Sequence, residues 1–516
     1  MKSKIDTILI IDFGSQYTQL IARRIRECGV YSIIHDNRIT LKKLKHINPK
    51  GIILSGGPES LTGKNNLKIS KSILISQIPI LGICYGMQLI AATFGGKITK
   101  SKKQEFGSSI FTRIGKSKLF LGKKISKKFK VWMSHADKVT KLPRNFQSLG
   151  SSTNSEISGF SNEKKKIYAL QFHPEVTHTT NGKQILINFC KNICGCSKSW
   201  TTKNKIEEII SEIKAIVNND RVLLALSGGV DSTVVASLIK KAIGKNLYCM
   251  FIDTGLLRKN EVQDVEKNIK KGLKLNLITV DAKKKFLKNL KHVTNPEKKR
   301  KIIGETFIRT FEEESKKLKN IKYLAQGTIY PDVIESSSSS SKSDVIKSHH
   351  NVGGLPKKFN FILIEPIRKL FKDEVRKIGR ELSIAQLLLD RHPFPGPGLA
   401  VRILGEVSKE KINILQEVDH IFIEEIKNAN LYNRISQALS VFLPIKSVGV
   451  MGDQRKYNYV VAIRAVKTND FMTADISEIP YKILNQISSR IVNEVPKVAR
   501  VVYDITSKPP GTIEWE

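Results

Sequence analysis

Acidic residues are scarce in this chain of 516: 47 Asp and Glu stand against 87 Lys and Arg, a formal net charge of +40. An imbalance of that size points first to a polyanionic partner. The distribution argues against it. Lysines are scattered through every segment alongside Ile and Asn. The longest basic clusters, "LGKKISKKFK" and "NPEKKRK", are short, and aromatics are not interleaved with them as in a strand-binding groove. Nucleic acid is therefore not an expected partner, whereas small anionic substrates would profit from the field. Long apolar runs are also missing: none reaches the roughly 18 residues of a membrane helix, so no membrane partner is expected. The opening "MKSKIDTILIIDFGSQY" passes from a short polar lead into a strand-like run without a small-residue cleavage site. That argues against a secretory signal and for a cytoplasmic location. Internal repeats are absent.

Cysteine is sparse, with six residues at Cys28, Cys84, Cys190, Cys194, Cys196 and Cys249. The cluster "FCKNICGC" has none of the usual zinc-ligand spacings and no matching Cys/His pair nearby, so it reads as structural. A cytosolic chain of this length needs no disulfides.

What is present falls into three textures, in keeping with a length prior of about three domains. Up to residue 197, short apolar runs ("TILIIDFG", "GIILSGGPES", "IPILGICYG", "IYALQFHPE") end in turns and alternate with helical stretches such as "YTQLIARRIRE". Continuous apolar strands separated by helices predict a largely parallel sheet. After a lysine- and serine-rich linker, "GCSKSWTTKNK", a second α/β segment spans 198–390, with strands expected in "RVLLALSGGVDS", "NLYCMFIDTGLL", "KLNLITVDA" and "IKYLAQGTIYPDVIE". The serine run from Ser336 is low complexity and is expected to be a loop. Proline and glycine in "DRHPFPGPGLAVRILGE" break the pattern, and 391–516 mixes strands ("SVGVMGDQR", "YVVAIRAV", "ARVVYDI") with helices.

"LGICYGM" sets Cys84 between Gly82 and Gly86, after a strand and before a helix. Small neighbours permit the tight turn that exposes a nucleophile, and the helix N-terminus favours its thiolate. "QFHPE" offers His173 as base, with Glu175 two residues on to orient the imidazole. The N–H groups of Gly57, in "LSGGPES", and of Tyr85 supply an oxyanion hole.

"ALSGGVDSTVV" has the look of a phosphate loop but lacks the lysine of the common P-loop. Ser227, Gly228 and Gly229 present consecutive N–H groups and small side chains, Ser232 and Thr233 add hydroxyls, and the loop, Val230 and Asp231 with it, opens a helix N-terminus as a nucleotide-binding stretch. Such a nest suits a compact dianion, and without the lysine a transferred outer phosphate is poorly provided for. Asp253, ending the next strand, lies where ligands of doubly wound sheets collect.

"LSGGP", "GICYGMQ" and "FHPE" resemble the class I glutamine amidotransferases in order and spacing. The resemblance implies that Cys84 attacks the amide of glutamine, with His173 and Glu175 completing a triad, and that ammonia is released. The SGG-x-DS loop resembles that of the ATP-pyrophosphatases, in which it grips the β- and γ-phosphates as a leaving unit while the α–β bond breaks. Asp231 would then orient Mg2+.

The two together, with "AQGTIYPDVIES", "KSHHNVGGLP", "EPIRKLFKDEVRKIG", "RHPFPGPGL", "SVGVMGD" and "KPPGTIEWE", resemble the family of glutamine-hydrolysing GMP synthases along the whole chain. That resemblance implies an α/β multidomain protein: a class I glutaminase domain, an adenine nucleotide alpha-hydrolase-like parallel-sheet domain, and a smaller α+β C-terminal domain that forms a homodimer. Its implied substrates are glutamine, ATP and xanthosine monophosphate (XMP). By the same resemblance Arg300, Gln437, Arg500, Lys508, Ile513 and Glu514 would contact XMP, and Lys347 would belong to a lid over the adenylation site. Two rivals stay open. A tRNA-modifying ATP-pyrophosphatase would explain the charge but not the glutaminase. An NAD or argininosuccinate-type synthetase would lack this glutaminase or this C-terminal tail.

Overall fold

The computed structural model describes residues 5–63, 66–122, 125–333, 361–451, 454–468 and 473–516. The chain divides into two compact units, Met1–Lys205 and Ile206–Glu516.

Among the described residues, the first unit is built on a nine-stranded sheet. Strands Tyr31–Asp36, Thr7–Asp12, Gly51–Leu54, Ile80–Ile83 and Ile167–Leu170 lie side by side and parallel. Three of them, "GIIL", "ILGI" and "IYAL", are buried at every position, the outcome for strands covered on both faces. The expected parallel sheet is thus present, but it is extended by four antiparallel strands: Gly159–Asn162, Gln147–Ser151, Lys97–Arg113 and Lys128–Lys141. Helix Thr18–Glu27 buries Ile21, Ala22 and Ile25, and helix Tyr85–Thr93 is buried over most of its length. The linker stretch is only partly open chain: Trp200 is buried and stacks on Tyr31, with ring centroids 4.4 Å apart. A helix then runs over Thr202–Val217.

The second unit has a five-stranded, all-parallel sheet in the order Asn276–Asp281, Leu247–Asp253, Arg221–Ala225, Ile321–Ala325, Ile362–Ile364. Chain order reverses between Arg221–Ala225 and Ile321–Ala325, which opens a crevice at their C-terminal ends. Beyond it, the long strands Gln437–Met451 and Gln454–Lys467 pair antiparallel, joined by Asp475–Ile476 and Val498–Tyr503. Helix Lys409–Asn428 is capped by Ser408, which accepts the Lys411 N–H at 3.3 Å, and it buries Leu415, Val418 and Phe422. One hydrophobic core runs from Leu223 and Met250 through Leu415 and Phe422 to Phe442 and Val461.

Candidate active site

In the first unit the strand Ile80–Ile83 delivers the chain to Cys84, whose backbone takes φ 53° and ψ −107° before helix Tyr85–Thr93 begins. A non-glycine residue holds that conformation at a cost of about 1–3 kcal/mol, so the surroundings must enforce it. They do. A Cβ on Gly86 would stand 2.5 Å from the carbonyl O of Leu54, and one on Gly82 would stand 2.6 Å from the carbonyl O of Gly86. The bonds from Cys84 N–H to Leu170 O (2.8 Å) and Gly86 N–H to Ser55 O (3.1 Å) pin the turn to the neighbouring strands.

His173 follows strand Ile167–Leu170, and its Nδ1 lies 2.7 Å from Glu175 Oε1; both side chains are buried. Glu175 Oε2 has no partner among the described residues, so the carboxylate directs its pairing at the imidazole. Burial pulls the imidazole pKa down, but the Glu175 carboxylate and the neighbouring Cys84 outweigh it and raise it well above the ordinary value. The Cys84 thiol points to the carbonyl O of Ser134 at 3.3 Å. The Gly56–Gly57 turn closes the site: a Cβ on Gly56 would lie 3.3 Å from His173 Cε1 and 3.6 Å from Cys84 Cβ. Tyr85 opens its helix, where the first N–H groups lack intrahelical acceptors. The sequence reading missed Gln88, one turn into this helix, whose Nε2 donates to Asp137 O at 3.0 Å.

In the second unit, the loop after Ala225 leads into helix Val230–Ile243, capped by Gly229. Gly228 has φ +73°, and a Cβ there would come 2.7 Å from Val265, so glycine is required. Ser227 and Ser232 hydroxyls lie 3.1 Å apart, and Thr233 Oγ1 donates to Gly229 O at 2.8 Å. These bonds shape the loop. A lysine is present after all: Lys372, opening helix Lys372–Glu381, pairs with Asp231 Oδ2. Arg391 holds the loop from the other flank, donating to Gly228 O at 3.0 Å and to Glu261 at 2.5 Å. Asp231 Oδ1, Gln326 Oε1 and Thr328 Oγ1 are buried without partners among the described residues. Asp231 lies in the first turn of the helix that follows one strand end at the switch point, Gln326 and Thr328 in the loop that follows the other, and a Cβ on Gly327 would touch Asp231 Cβ at 3.3 Å. Asp253 is buried, accepts Gly255 N–H at 2.9 Å and pairs with Lys283 at 3.0 Å. It borders a cavity of about 940 Å³ that the Ser227–Thr233 loop does not line.

The residues read as XMP contacts are brought together in part. Gln437 Nε2 donates to Glu514 Oε1 at 2.7 Å, and the same carboxylate receives Arg402 Nε and Nη2 at 2.9 and 2.8 Å. Arg402 is fully buried; deleting the Glu514 carboxylate would take the main partner from a buried charge, at a cost of about 3–5 kcal/mol. Ile513 packs against Leu439, Val441 and Ala462. Arg300 donates to the carbonyl O of Glu516, and the neighbouring Lys299 is buried against Ile403 O at 2.6 Å and Glu516. Lys508 bonds Ala474 through its backbone, N–H to O at 2.7 Å. Arg500 stands apart: it is exposed on strand Val498–Tyr503 and meets Ser447 Oγ at 3.1 Å. Lys347 lies outside the described residues.

Residues 9–193 match the family Glutamine amidotransferase class-I, residues 221–297 the Arginosuccinate synthase N-terminal HUP domain, and residues 424–515 the GMP synthase C terminal domain. Fold and matches together define a multidomain α/β ligase that draws its nitrogen from glutamine. The chain is 54% identical over 510 residues to the GMP synthase (glutamine-hydrolyzing) of Vibrio vulnificus strain CMCP6, covering 99% of this chain and 98% of that protein. The GMP synthases of Vibrio cholerae serotype O1 strain M66-2 and of Aliivibrio salmonicida are similar to the same degree, 54% with 99% and 98% coverage. This chain belongs to the glutamine-hydrolysing GMP synthase family.

Proposed function

We propose that the chain makes GMP from XMP, ATP and glutamine. Residues 1–197 release ammonia, 198–390 adenylate XMP, and 391–516 complete the XMP site and form a homodimer. The observation that carries the reading is the pairing of a strained cysteine elbow, backed by a 2.7 Å His173–Glu175 bond, with a phosphate loop in the same chain.

Cys84 adds to the amide carbon of glutamine, and the oxyanion is received by the N–H groups of Gly57 and Tyr85. His173, its Nδ1–H held by Glu175, takes the Cys84 thiol proton on Nε2 and gives it to the departing ammonia. Water then cleaves the thioester to glutamate. In the second unit the 2-oxo oxygen of XMP attacks the α-phosphorus of ATP, and pyrophosphate leaves. Ammonia adds at C2, and AMP departs with the oxygen, leaving GMP. The N–H groups of Ser227–Gly229, the hydroxyls of Ser232 and Thr233, and Lys372 suit the outgoing pyrophosphate. Val230 seats the helix that presents them, and Asp253 marks the neighbouring strand end. The orphaned Asp231 Oδ1 fits a hard cation. Among the described residues no cluster of three or more His, Cys, Asp or Glu could hold a metal, so Mg2+ would be shared between Asp231 and the nucleotide phosphates. When bound, it would neutralise charge on the leaving pyrophosphate.

Arg300 and Lys508 are suited to the XMP phosphate, and Glu514, oriented by Gln437 and Arg402, to purine N–H groups, with Ile513 against the ring. Arg500, remote from these on its own strand, would act across a subunit contact. Lys347 is kept as the lid residue. The six free thiols suit a reducing, cytoplasmic compartment. Among the described residues no helix is long and apolar enough to cross a membrane.

The test is product analysis with Mg-ATP, XMP and either glutamine or ammonium. Wild type should yield GMP, AMP and pyrophosphate from both nitrogen sources, and Cys84→Ala from ammonium alone. ADP and phosphate as products, or turnover independent of XMP, would sink the assignment.

A further inference from the structure

Strand Lys128–Lys141 turns Phe129, Val131, Met133 and Val139 inward, but two of its buried positions are polar: His135 and Asp137. Neither belongs to the triad. Burying them is costly unless each finds partners, and the partners are found. His135 Nε2 lies 3.2 Å from Glu105 Oε2, on the neighbouring strand, and His135 Nδ1 lies 3.0 Å from the carbonyl O of Asp137. The two side chains are only 3% and 4% exposed. Glu105 also receives Ser152 Oγ at 2.8 Å, Asn154 N–H at 3.1 Å and Ser109 Oγ at 3.3 Å. With so many donors aimed at it, Glu105 acts as the acceptor, and the Asp137 carbonyl can only accept. His135 therefore bridges the Glu105 carboxylate of one strand and a single carbonyl of the next.

That carbonyl also receives Gln88 Nε2 at 3.0 Å, from the helix that Cys84 begins. The Asp137 carboxylate is held by Ser60 and, at 3.4 Å, by Thr62, both in the turn that carries Gly57. Ser134, one residue before His135, offers the carbonyl that takes the Cys84 thiol at 3.3 Å. Three walls of the glutaminase centre thus meet on Ser134 and Asp137, and the Glu105–His135 pair braces the short stretch that carries both.

We propose that Glu105 and His135 are positioning residues of the glutaminase: acting through Ser134–Asp137, they set Gln88, the Gly57 turn and Cys84 in register for glutamine. The inference rests on the reading of Cys84 as the nucleophile. Neither residue touches the reacting atoms. Their loss shifts the pocket rather than removing a participant, and it raises KM for glutamine more than it lowers kcat.

The experiment uses the full chain with His135→Asn, Glu105→Ala and Glu105→Gln. Glutamine-driven kcat/KM should fall about ten- to a hundredfold in the first two, the scale expected for misplacement of the order of 1 Å. Glu105→Gln, which can still bond the imidazole, should recover part of the loss, and ammonium-driven turnover should stay within about twofold of wild type. Cys84 alkylation separates pocket from fold. A glutamine-like chloroketone should label the variants slowly, while iodoacetamide, which needs no pocket, should label them at the wild-type rate. A glutamine kcat/KM within about twofold of wild type in both His135→Asn and Glu105→Ala would overturn the proposal. So would equal changes in both labelling rates, the mark of a general structural role. If Cys84→Ala itself kept glutamine-driven turnover, the reading of the centre would fail instead, and the two failures are distinguishable.

Discussion

His392 and Arg464 have no role assigned from sequence, and both are buried in the second unit. Arg464 pairs with Asp504 at 2.7 Å and donates to Thr512 O at 3.2 Å, anchoring the segment that carries Ile513 and Glu514. His392 stacks on Tyr432 with ring centroids 3.8 Å apart, accepts the Ala438 N–H on Nδ1 at 3.2 Å, and faces Tyr432 O with Nε2 at 2.9 Å. Only the neutral ring satisfies both bonds, and burial accordingly pushes its pKa down to about 4. The folded value lies below the ordinary value of about 6.5, so the unfolded chain takes the proton first. This stabilisation is complete above pH ~6.5 and is lost as pH falls toward 4, with an upper limit of about 3 kcal/mol. Amide exchange at Ala438, corrected for the intrinsic effect of pH, should accelerate across that window. His392→Gln should flatten the dependence. Unchanged protection down to pH 4 would refute the assignment.

At the scale of elements, the elbow makes a sharper demand. Gly86→Ala would drive its Cβ to 2.5 Å from Leu54 O and 2.7 Å from Leu54 Cβ, both firmly placed in the buried strand Gly51–Leu54. We expect loss of most glutamine-driven GMP formation and a first-unit melting temperature several degrees lower, about 2 kcal/mol or more. Ammonium-driven turnover, which needs only the second unit, should persist. Normal glutamine use by the variant would show that the elbow can relax. These elements were legible because their signals are local: unbroken apolar runs ending in glycine-rich turns, with a cysteine or a Ser-Gly-Gly loop directly after. The hairpin Lys97–Arg113/Lys128–Lys141 was less so. Its alternation breaks at His135 and Asp137, the inward positions given to polar side chains that hold the site, and a sequence shows no partner 30 residues away. Lys372 was invisible for another reason: one lysine among 87 basic residues carries no signal until Asp231, 141 positions earlier, is seen beside it. Arg402 reads as an ordinary charge until Glu514, 112 residues on, is placed against it.

For the whole molecule, the basic excess has no concentrated patch to explain in sequence, whereas the exposed apolar residues of the last segment are concentrated. Ile445, Val448, Val450, Tyr457 and Val502 are each at least 39% exposed, most of them toward the tip of the hairpin formed by Gln437–Met451 and Gln454–Lys467. Apolar surface gathered in this way marks a contact surface, and the proposed homodimer is its occupant. Val448→Asp with Val450→Lys should convert dimers to monomers in sedimentation or light scattering; an unchanged mass would place the subunit contact elsewhere.

The strand Gln437–Met451 joins two ends that would otherwise have nothing to do with each other. At one end Gln437 steadies the Glu514 carboxylate; about 50 Å away, at roughly 3.3 Å per residue, the same strand reaches the exposed tip. If the proposed homodimer forms at that tip, the strand would work as a rod, held at its far end by the other subunit and steadying at its near end the carboxylate proposed to meet XMP. On that reading dilution should register as weaker grip on XMP before any loss of the glutaminase, and the enzyme's appetite for its nucleotide would become a gauge of its own concentration.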